Sequence, residues 1–214
     1  CIEDQGSSWA WNYSEHALEA QQKRARKHFD AALTDLDALA QARTKDFLPL
    51  FDEGEDSQYF NDDLLHIVWR TYAQTSLLNR EEKTAWLDKL ATYYASHNVP
   101  NAALLLRLDR IDLLHPNTRV KGNIDDNALY QELTTLARDN ESQAANVETY
   151  KRILRLHDAY DHDAPYAQHN TQLLYEAAQH GVKLYKWGTQ ANELRQFLAE
   201  VTAPAAKMSE LAQT

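Results

Sequence analysis

From Asn61 to Val201 the apolar residues recur every three or four positions in seven successive stretches, with short polar turns between them. This period places apolar side chains on one face of an α-helix. No run alternates with the two-residue period of a β-strand. Counting a further long helix before Asn61, the pattern predicts an all-α chain of about eight helices.

The helices are similar in length and follow one another without long loops. Helix starts recur about every 20 residues, so a helical hairpin would occupy roughly 40 residues, above the tetratricopeptide period of about 34 and closer to HEAT-like repeats. No residue-level repeat accompanies this spacing. We therefore expect an irregular stack of antiparallel helical hairpins, a tetratricopeptide-like or HEAT-like α-solenoid, with a single globular bundle as the alternative.

Breaks in the helical pattern indicate how the chain is organised. Residues 1–13 are predicted to form a tail with an aromatic cluster, residues 14–204 a single helical-repeat domain, and residues 205–214 a C-terminal linker. Within the domain, the segment 117–125 is a candidate hinge between two halves. Residues 102–114 are apolar on nearly every side, so this helix needs neighbours on several sides and is expected to be the central one.

Local signals mark helix boundaries and packing positions. Ser14 and Asn61 are predicted N-caps, and Asn79 with Glu82 three positions later has the form of a capping box. Gly181 is expected to interrupt a helical stretch and to let a neighbour approach closely. With Asn61 as a cap, the remaining residues predicted to be structural are Trp69, Trp86, Leu105, Leu108, Ile111, Leu133, Ile153, Leu174 and Phe197.

Composition narrows the classes of function. The chain has 214 residues and a formal net charge of −10, and the phosphates of nucleic acid would be repelled by it. No apolar stretch is long enough to cross a membrane. The one cysteine, Cys1, excludes an intrachain disulfide. A Cys at a mature N-terminus is also what a lipid-anchored bacterial lipoprotein carries, but we favour the interpretation that Cys1 marks the start of a fragment.

Two groups of ionisable residues invite a chemical interpretation. His157, Asp161 and His162 crowd one helix end, and the spacing of the first two would let both face a metal ion. Because such residues are common at helix ends, we interpret them as structural and predict neither a metal nor another cofactor. Asp109 and Asp112 could act as acid and base on a glycosidic bond, but we expect them to pair with arginines. The candidate arginines are Arg107, Arg110 and Arg138.

One segment carries a family resemblance. Residues 52–67, Asp-Glu-Gly-Glu-Asp-Ser-Gln-Tyr-Phe-Asn-Asp-Asp-Leu-Leu-His-Ile, resemble the amino-terminal helical region of large alpha-2-macroglobulin-like proteins of Bacteroides-type bacteria. The stretch 101–113 resembles the apolar helix of that region. The stretch 192–204 resembles the exit towards the first macroglobulin-type β-sandwich. Together these segments extend the resemblance from about Ser14 to Pro204.

The resemblance implies one module of a larger exported protein, periplasmic or at the cell surface, from a family that traps or binds proteases. It implies a helical scaffold or protein-binding module without enzymatic activity. The expected partners are neighbouring domains of the same chain, other envelope proteins and proteases. Cys1-Ile-Glu-Asp-Gln approaches the thioester motif Cys-x-Glu-Gln of the family but has Asp4 in the Gln position, so no functional residue is carried over.

The sequence also offers candidate binding residues in one loop and leaves two alternative functions open. The candidate binding residues are acidic side chains of the loop before Asn61, namely Asp52, Glu53, Glu55 and Asp56. A free-standing surface lipoprotein could instead bind a glycan or peptide in the concave face of the helical stack. A small hydrolase would need a deep cleft around Asp109 and Asp112 or around residues 157–163, with shifted pKa values there.

Overall fold

The computed structural model describes residues 4–42, 63–185 and 191–202. In these ranges every regular element is helical and no strand is present, which confirms the predicted all-α class. None of the described helices combines the length and the apolar character needed to cross a membrane. The arrangement of the hairpins as a solenoid stays a prediction.

Nine α-helices and three short 3-10 helices lie in the described residues. The α-helices are α1 (Asp4–Ala32), α2 (Leu36–Gln41), α3 (Leu64–Gln74), α4 (Arg80–Ser96), α5 (Pro100–Leu114), α6 (Ala128–Asp139), α7 (Val147–Arg155), α8 (Ala167–Leu184) and α9 (Asn192–Thr202). The 3-10 helices are η1 (Ile124–Asp126), η2 (Ala144–Asn146) and η3 (Leu156–Ala159). The seven helices from α3 to α9 correspond to the seven stretches that the apolar pattern predicts.

Two predicted helix starts differ from the structure. Helix α1 begins at Asp4, so residues 1–13 are helical from Asp4 onwards and Ser14 lies inside the helix. No proline interrupts this stretch, and one glycine costs a helix only about 1 kcal/mol relative to alanine. Helix α3 is capped by Asp63, whose carboxylate accepts a hydrogen bond from the His66 N–H at 2.7 Å. Asn61 lies outside the described residues.

The capping box at the start of α4 is confirmed. The side-chain oxygen of Asn79 accepts from the Glu82 N–H at 2.9 Å, and the Glu82 carboxylate accepts from the Asn79 N–H at 3.0 Å. The same carboxylate forms a salt bridge with Arg26 of α1. One glutamate therefore fixes the start of α4 and ties it to α1.

The chain divides into two compact units, Cys1–Leu90 and Ala91–Thr214, where the sequence predicts one helical-repeat domain. In the first unit, α1 packs on α3 through Phe29, which stacks on Tyr72 with ring centroids 4.8 Å apart. The Tyr72 hydroxyl donates to Asp30 at 3.0 Å, and burial together with this carboxylate raises the pKa of Tyr72 to about 12. The buried Tyr72 ring therefore stacks on Phe29, while its hydroxyl reaches the exposed Asp30 of the same helix.

The predicted core tryptophans also lie in the first unit. Trp69 is buried, and its ring lies 6.3 Å from that of Trp86. Trp86 is half-buried, and the Lys89 ammonium lies 4.6 Å from its ring centroid. Beside them, burial lowers the pKa of His66 to about 3, and the positive charge of Arg70 acts in the same direction. His66 is therefore neutral at neutral pH.

In the second unit, α5 is buried on several sides, as predicted. Its buried residues are Ala102, Ala103, Leu104, Leu105, Leu106, Leu108 and Ile111. Pro100 occupies the first turn, where its missing N–H is tolerated. The other predicted core residues of this unit are buried too, namely Leu133, Ile153, Leu174 and Phe197.

Gly181 marks a close contact between helices, as predicted, although it does not interrupt α8. A Cβ atom placed on Gly181 would lie 2.9 Å from Cδ1 of Leu194 and 3.0 Å from Cγ of Tyr150. Both neighbours are buried side chains, on α9 and α7 respectively. The missing side chain of Gly181 therefore lets α7, α8 and α9 converge.

We expect Gly181→Ala to destabilise the second unit by about 1–3 kcal/mol, because the new methyl group overpacks the contact with Tyr150 and Leu194. An alanine inside a helix is otherwise stabilising relative to glycine by about 1 kcal/mol. The free energy of unfolding in urea measures the effect. In the background of Leu194→Ala, the same change should lose part of its cost, because only the contact with Tyr150 remains. A stabilised Gly181→Ala variant would contradict the close packing.

We expect acidification to destabilise the first unit through His66. The folded pKa is below the unfolded value, so the folded state binds fewer protons, and stability falls as pH falls from about 6.5 towards 3. Between about pH 7 and 5 the loss from this residue is about 2 kcal/mol. Urea unfolding followed by tryptophan fluorescence should show that His66→Gln reduces this pH dependence. The control His28→Gln replaces an exposed histidine, and an equal reduction in both variants would contradict the account.

Candidate binding cleft

A cleft of about 540 Å³ opens in the second unit between α5, α6, α7, η3 and the segment that follows α5. Its floor is apolar and consists of buried side chains, namely Ile111, Leu129, Leu133, Leu156 and Ala159. Its charged lining consists of Asp112, Arg119, Arg152, Arg155 and Asp158. We call this site the arginine cleft. Its volume is in the range of pockets that hold small molecules or a few side chains of a partner.

Arg152 forms one wall of the arginine cleft and is held by three carboxylates. Its Nε and Nη2 atoms contact Asp112 at 3.0 and 2.8 Å, and Nη2 lies 3.6 Å from Asp109. Its Nη1 atom lies 3.3 Å from Glu148, one turn earlier on α7. Only 11% of the Arg152 side chain is exposed. The network orients the guanidinium, and with three carboxylates around one arginine its formal charge is negative.

Asp109 and Asp112 both form ion pairs with Arg152. Their expected pairing with an arginine is confirmed, but the arginine that bridges both is Arg152, which lies 40 residues after Asp112 and was not among the candidates. Arg138 contacts the neighbouring Asp139 instead. The two carboxylates are therefore part of an ion-pair network between α5 and α7.

Two further arginines border the arginine cleft without such ion pairs. Arg119 and Arg155 are exposed, and in the described ranges neither guanidinium lies within salt-bridge distance of a carboxylate. The exposed Asp158 is the acidic group on the same border. The border of the cleft therefore carries two exposed arginines and one exposed aspartate beside the Arg152 network, on a chain whose formal net charge is −10.

The predicted hinge supplies another wall of the cleft and is held firmly. The Val120 N–H donates to the Ala159 carbonyl at 2.8 Å. The fully buried Asn170 accepts from the Ile124 N–H at 2.8 Å and donates to the Gly122 carbonyl at 3.0 Å. These bonds attach the segment to η3 and α8 inside the second unit, and the division into compact units falls earlier, after Leu90.

The candidate metal residues form an aromatic cluster. The rings of His157 and His162 lie 4.3 Å apart, and His157 also meets Phe197 edge-on at 5.2 Å. Burial and the neighbouring His162 lower the pKa of His157. Asp161 accepts from the Asp163 N–H at 3.0 Å, which closes a turn. Over the part of the chain that the structure describes, no three His, Cys, Asp or Glu side chains form a metal-binding group.

The three arginines of the cleft were not singled out from the sequence. One local signal was present in the sequence. Arg152 and Arg155 are three residues apart in the last turn of α7, and Glu148 precedes Arg152 by four, so the three side chains share one face of the helix. Their proximity to Arg119 depends on how the segment after α5 folds back, which no local pattern encodes. The predicted binding residues Asp52, Glu53, Glu55 and Asp56, and also Cys1, lie outside the described residues.

Comparison with known proteins supplies no relative. No family model, no curated protein and no solved structure matches this chain. The function therefore has to be argued from the geometry of the arginine cleft and from the sequence segment at residues 52–67.

Proposed function

We propose that this chain is a protein-binding helical module without enzymatic activity, and that a partner docks in the arginine cleft. The observation that carries the proposal is the joint presence of an apolar floor and an exposed border with charges of both signs in one open cleft. Apolar contact at the centre of an interface supplies most of its affinity. Charges at its edge speed association and select the partner.

The fixed walls of the cleft support a docking role. Arg152 is held by Asp109, Asp112 and Glu148, and the segment after α5 is held by Asn170. A partner would therefore meet a site that is already ordered, and little conformational entropy would be lost on binding. Preorganisation of this kind favours recognition of a defined partner.

The surroundings of the ionisable side chains support binding over catalysis. Asp109 and Asp112 contact Arg152. The Lys151 ammonium lies 2.8 Å from Glu148 and 2.8 Å from Glu193. Side chains with these partners act as ties between helices, since a nucleophile or general acid would have to leave its partner to reach a substrate.

We further propose that the module belongs to an exported alpha-2-macroglobulin-like protein in the periplasm or at the cell surface. The resemblance of residues 52–67 supports this, and the stretches 101–113 and 192–204 add to it. Its partners would be neighbouring domains of the same chain, other envelope proteins or proteases. In this proposal the hairpins form an irregular tetratricopeptide-like or HEAT-like stack whose exposed sides are free for docking.

Photo-crosslinking in the native protein tests the proposed function. We expect a photoreactive amino acid in place of Thr118, which lines the arginine cleft, to form crosslinks to a defined peptide of a neighbouring domain or of another envelope protein. Mass spectrometry of the crosslinked peptides identifies the partner. A photoreactive residue in place of the exposed Gln179 on α8 is the control.

The crosslinks from position 118 should be far more frequent than those from position 179 and should map to one segment. Crosslinks at equal frequency from both positions, or crosslinks to glycan alone, would overturn the proposal of a protein-docking cleft. Crosslinks to glycan alone would favour the lipoprotein alternative.

A further inference from the structure

A second cavity, of about 460 Å³, lies between the first half of α8, the last turn of α9 and the turn that follows η3. It shares no lining residue with the arginine cleft. Its lining consists of His162, Ala167, Gln168, Thr171, Gln172, Tyr175, Val201 and Thr202. We propose that this cavity binds a neutral sugar, either a single sugar unit or the end of a longer glycan. The inference concerns a separate site and goes beyond the proposed docking function.

The α8 wall of the cavity follows from the helical period. Polar side chains that are three or four residues apart along the helix share one face of it. They are Gln168, Thr171, Gln172 and Tyr175. The stripe that contains the fully buried Asn170 and Leu174 faces the core of the second unit instead. One helix therefore contributes to the core and presents a row of polar groups to the cavity.

Two walls of the cavity are held in place by neighbouring side chains. The Thr171 hydroxyl lies 2.9 Å from the hydroxyl of the buried Tyr160. The His162 ring lies 4.3 Å from the ring of His157 and 4.9 Å from that of Tyr160. Because these contacts exist without a ligand, less conformational entropy is lost when one binds.

The lining offers hydrogen-bonding groups that both donate and accept. In the described residues the exposed Gln168 amide has no hydrogen-bond partner within the protein. The Gln172 amide donates to Glu176 at 2.7 Å, which leaves its carbonyl oxygen available to a ligand. The Tyr175 hydroxyl accepts from Gln179 at 2.8 Å and can donate its own proton. A sugar hydroxyl also donates and accepts, so it can pair with each of these groups.

The composition of the lining favours a neutral ligand with a partly apolar surface. No Asp, Glu, Lys or Arg side chain belongs to it, so a charged ligand would lose hydration without gaining an opposite charge. An entirely apolar ligand would remove water from the amides and hydroxyls without replacing their hydrogen bonds. Tyr175, Ala167 and Val201 supply apolar surface on which the C–H face of a sugar ring can pack. A sugar combines this face with a rim of hydroxyl groups.

NMR titration of the 214-residue chain tests the site. The probes are glucose, galactose, mannose and N-acetylglucosamine, each added to tens of millimolar. We expect at least one of them to shift the side-chain amide resonances of Gln168 and Gln172, with a dissociation constant in the millimolar range. Cyclohexanol, which has a single hydroxyl, and glucuronate, which carries a charge, are the controls. Both should bind more weakly than that sugar by about tenfold.

Variants of the protein locate the site. Gln172→Ala should weaken binding of the sugar by about three- to tenfold, because a hydrogen bond is lost. The matched control is Gln196→Ala, which should leave binding unchanged. Gln196 is an exposed glutamine of α9 that likewise donates to a glutamate four residues later, Glu200, at 2.9 Å, but it does not line the cavity.

A third variant tests the apolar surface. Tyr175→Leu replaces the flat ring by another apolar side chain and should also weaken binding by about three- to tenfold. Thermal unfolding checks that each variant folds like the parent. If Tyr175→Leu does not fold, the comparison of Gln172→Ala with Gln196→Ala decides alone.

Three outcomes would overturn the sugar site. They are the absence of any shift with all of the sugars, equal affinity for a control molecule, and an equal loss of binding in Gln172→Ala and Gln196→Ala. Photo-crosslinking from position 118 concerns the arginine cleft, so the sugar site can fail while the docking function stands, and the reverse holds as well.

Discussion

The Arg152 guanidinium joins two helices that lie far apart in the sequence, and the described architecture of the second unit depends on this contact. An arginine that is 11% exposed needs compensation of its charge, and Asp109, Asp112 and Glu148 provide it. Two of these carboxylates come from α5 and one from α7 itself. The ion pairs therefore hold the C-terminal half of the apolar helix against α7, and the arginine cleft opens beside this junction.

Helix α8 adds two further constraints on the same unit. Asn170 donates to the Gly122 carbonyl and accepts from the Ile124 N–H, and so holds the segment after α5 in place. Gly181, three turns later, lets the helix approach Tyr150 and Leu194. Together with the Arg152 network, these contacts explain why a segment with the composition of a hinge is part of a packed unit.

Local features of the fold could be predicted from the sequence because they depend on local physics. The helical period, the capping box at Asn79 and the burial of residues such as Leu108 and Leu174 follow from interactions within a few residues or from simple amphipathicity. The predicted start of α1 at Ser14 was wrong, because serine is a good capping residue but nothing in the preceding sequence prevents a helix. The predicted cap Asn61 was also wrong, because Asp63 is an equally good capping residue two positions later and the sequence does not distinguish the two.

The arrangement of the candidate site could not be predicted in the same way. The partner of Asp112 lies 40 residues away, so its identity depends on which helices become neighbours. Asn170 offered a signal that sequence reasoning missed, because it lies on the stripe of buried residues that continues with Leu174 and Ala178. A polar residue on such a stripe has to be hydrogen-bonded, and its donor and acceptor partners lie 46 and 48 residues away, respectively.

The central claim is that the ion pair between Arg152 and Asp112 holds α5 to α7 and so maintains the wall of the cleft. A double-mutant cycle of Arg152→Met and Asp112→Asn, with free energies of unfolding measured in urea, tests it directly. The account predicts a favourable coupling energy of about 1 kcal/mol or more between the two residues. Additive effects, with a coupling below about 0.3 kcal/mol, would contradict it.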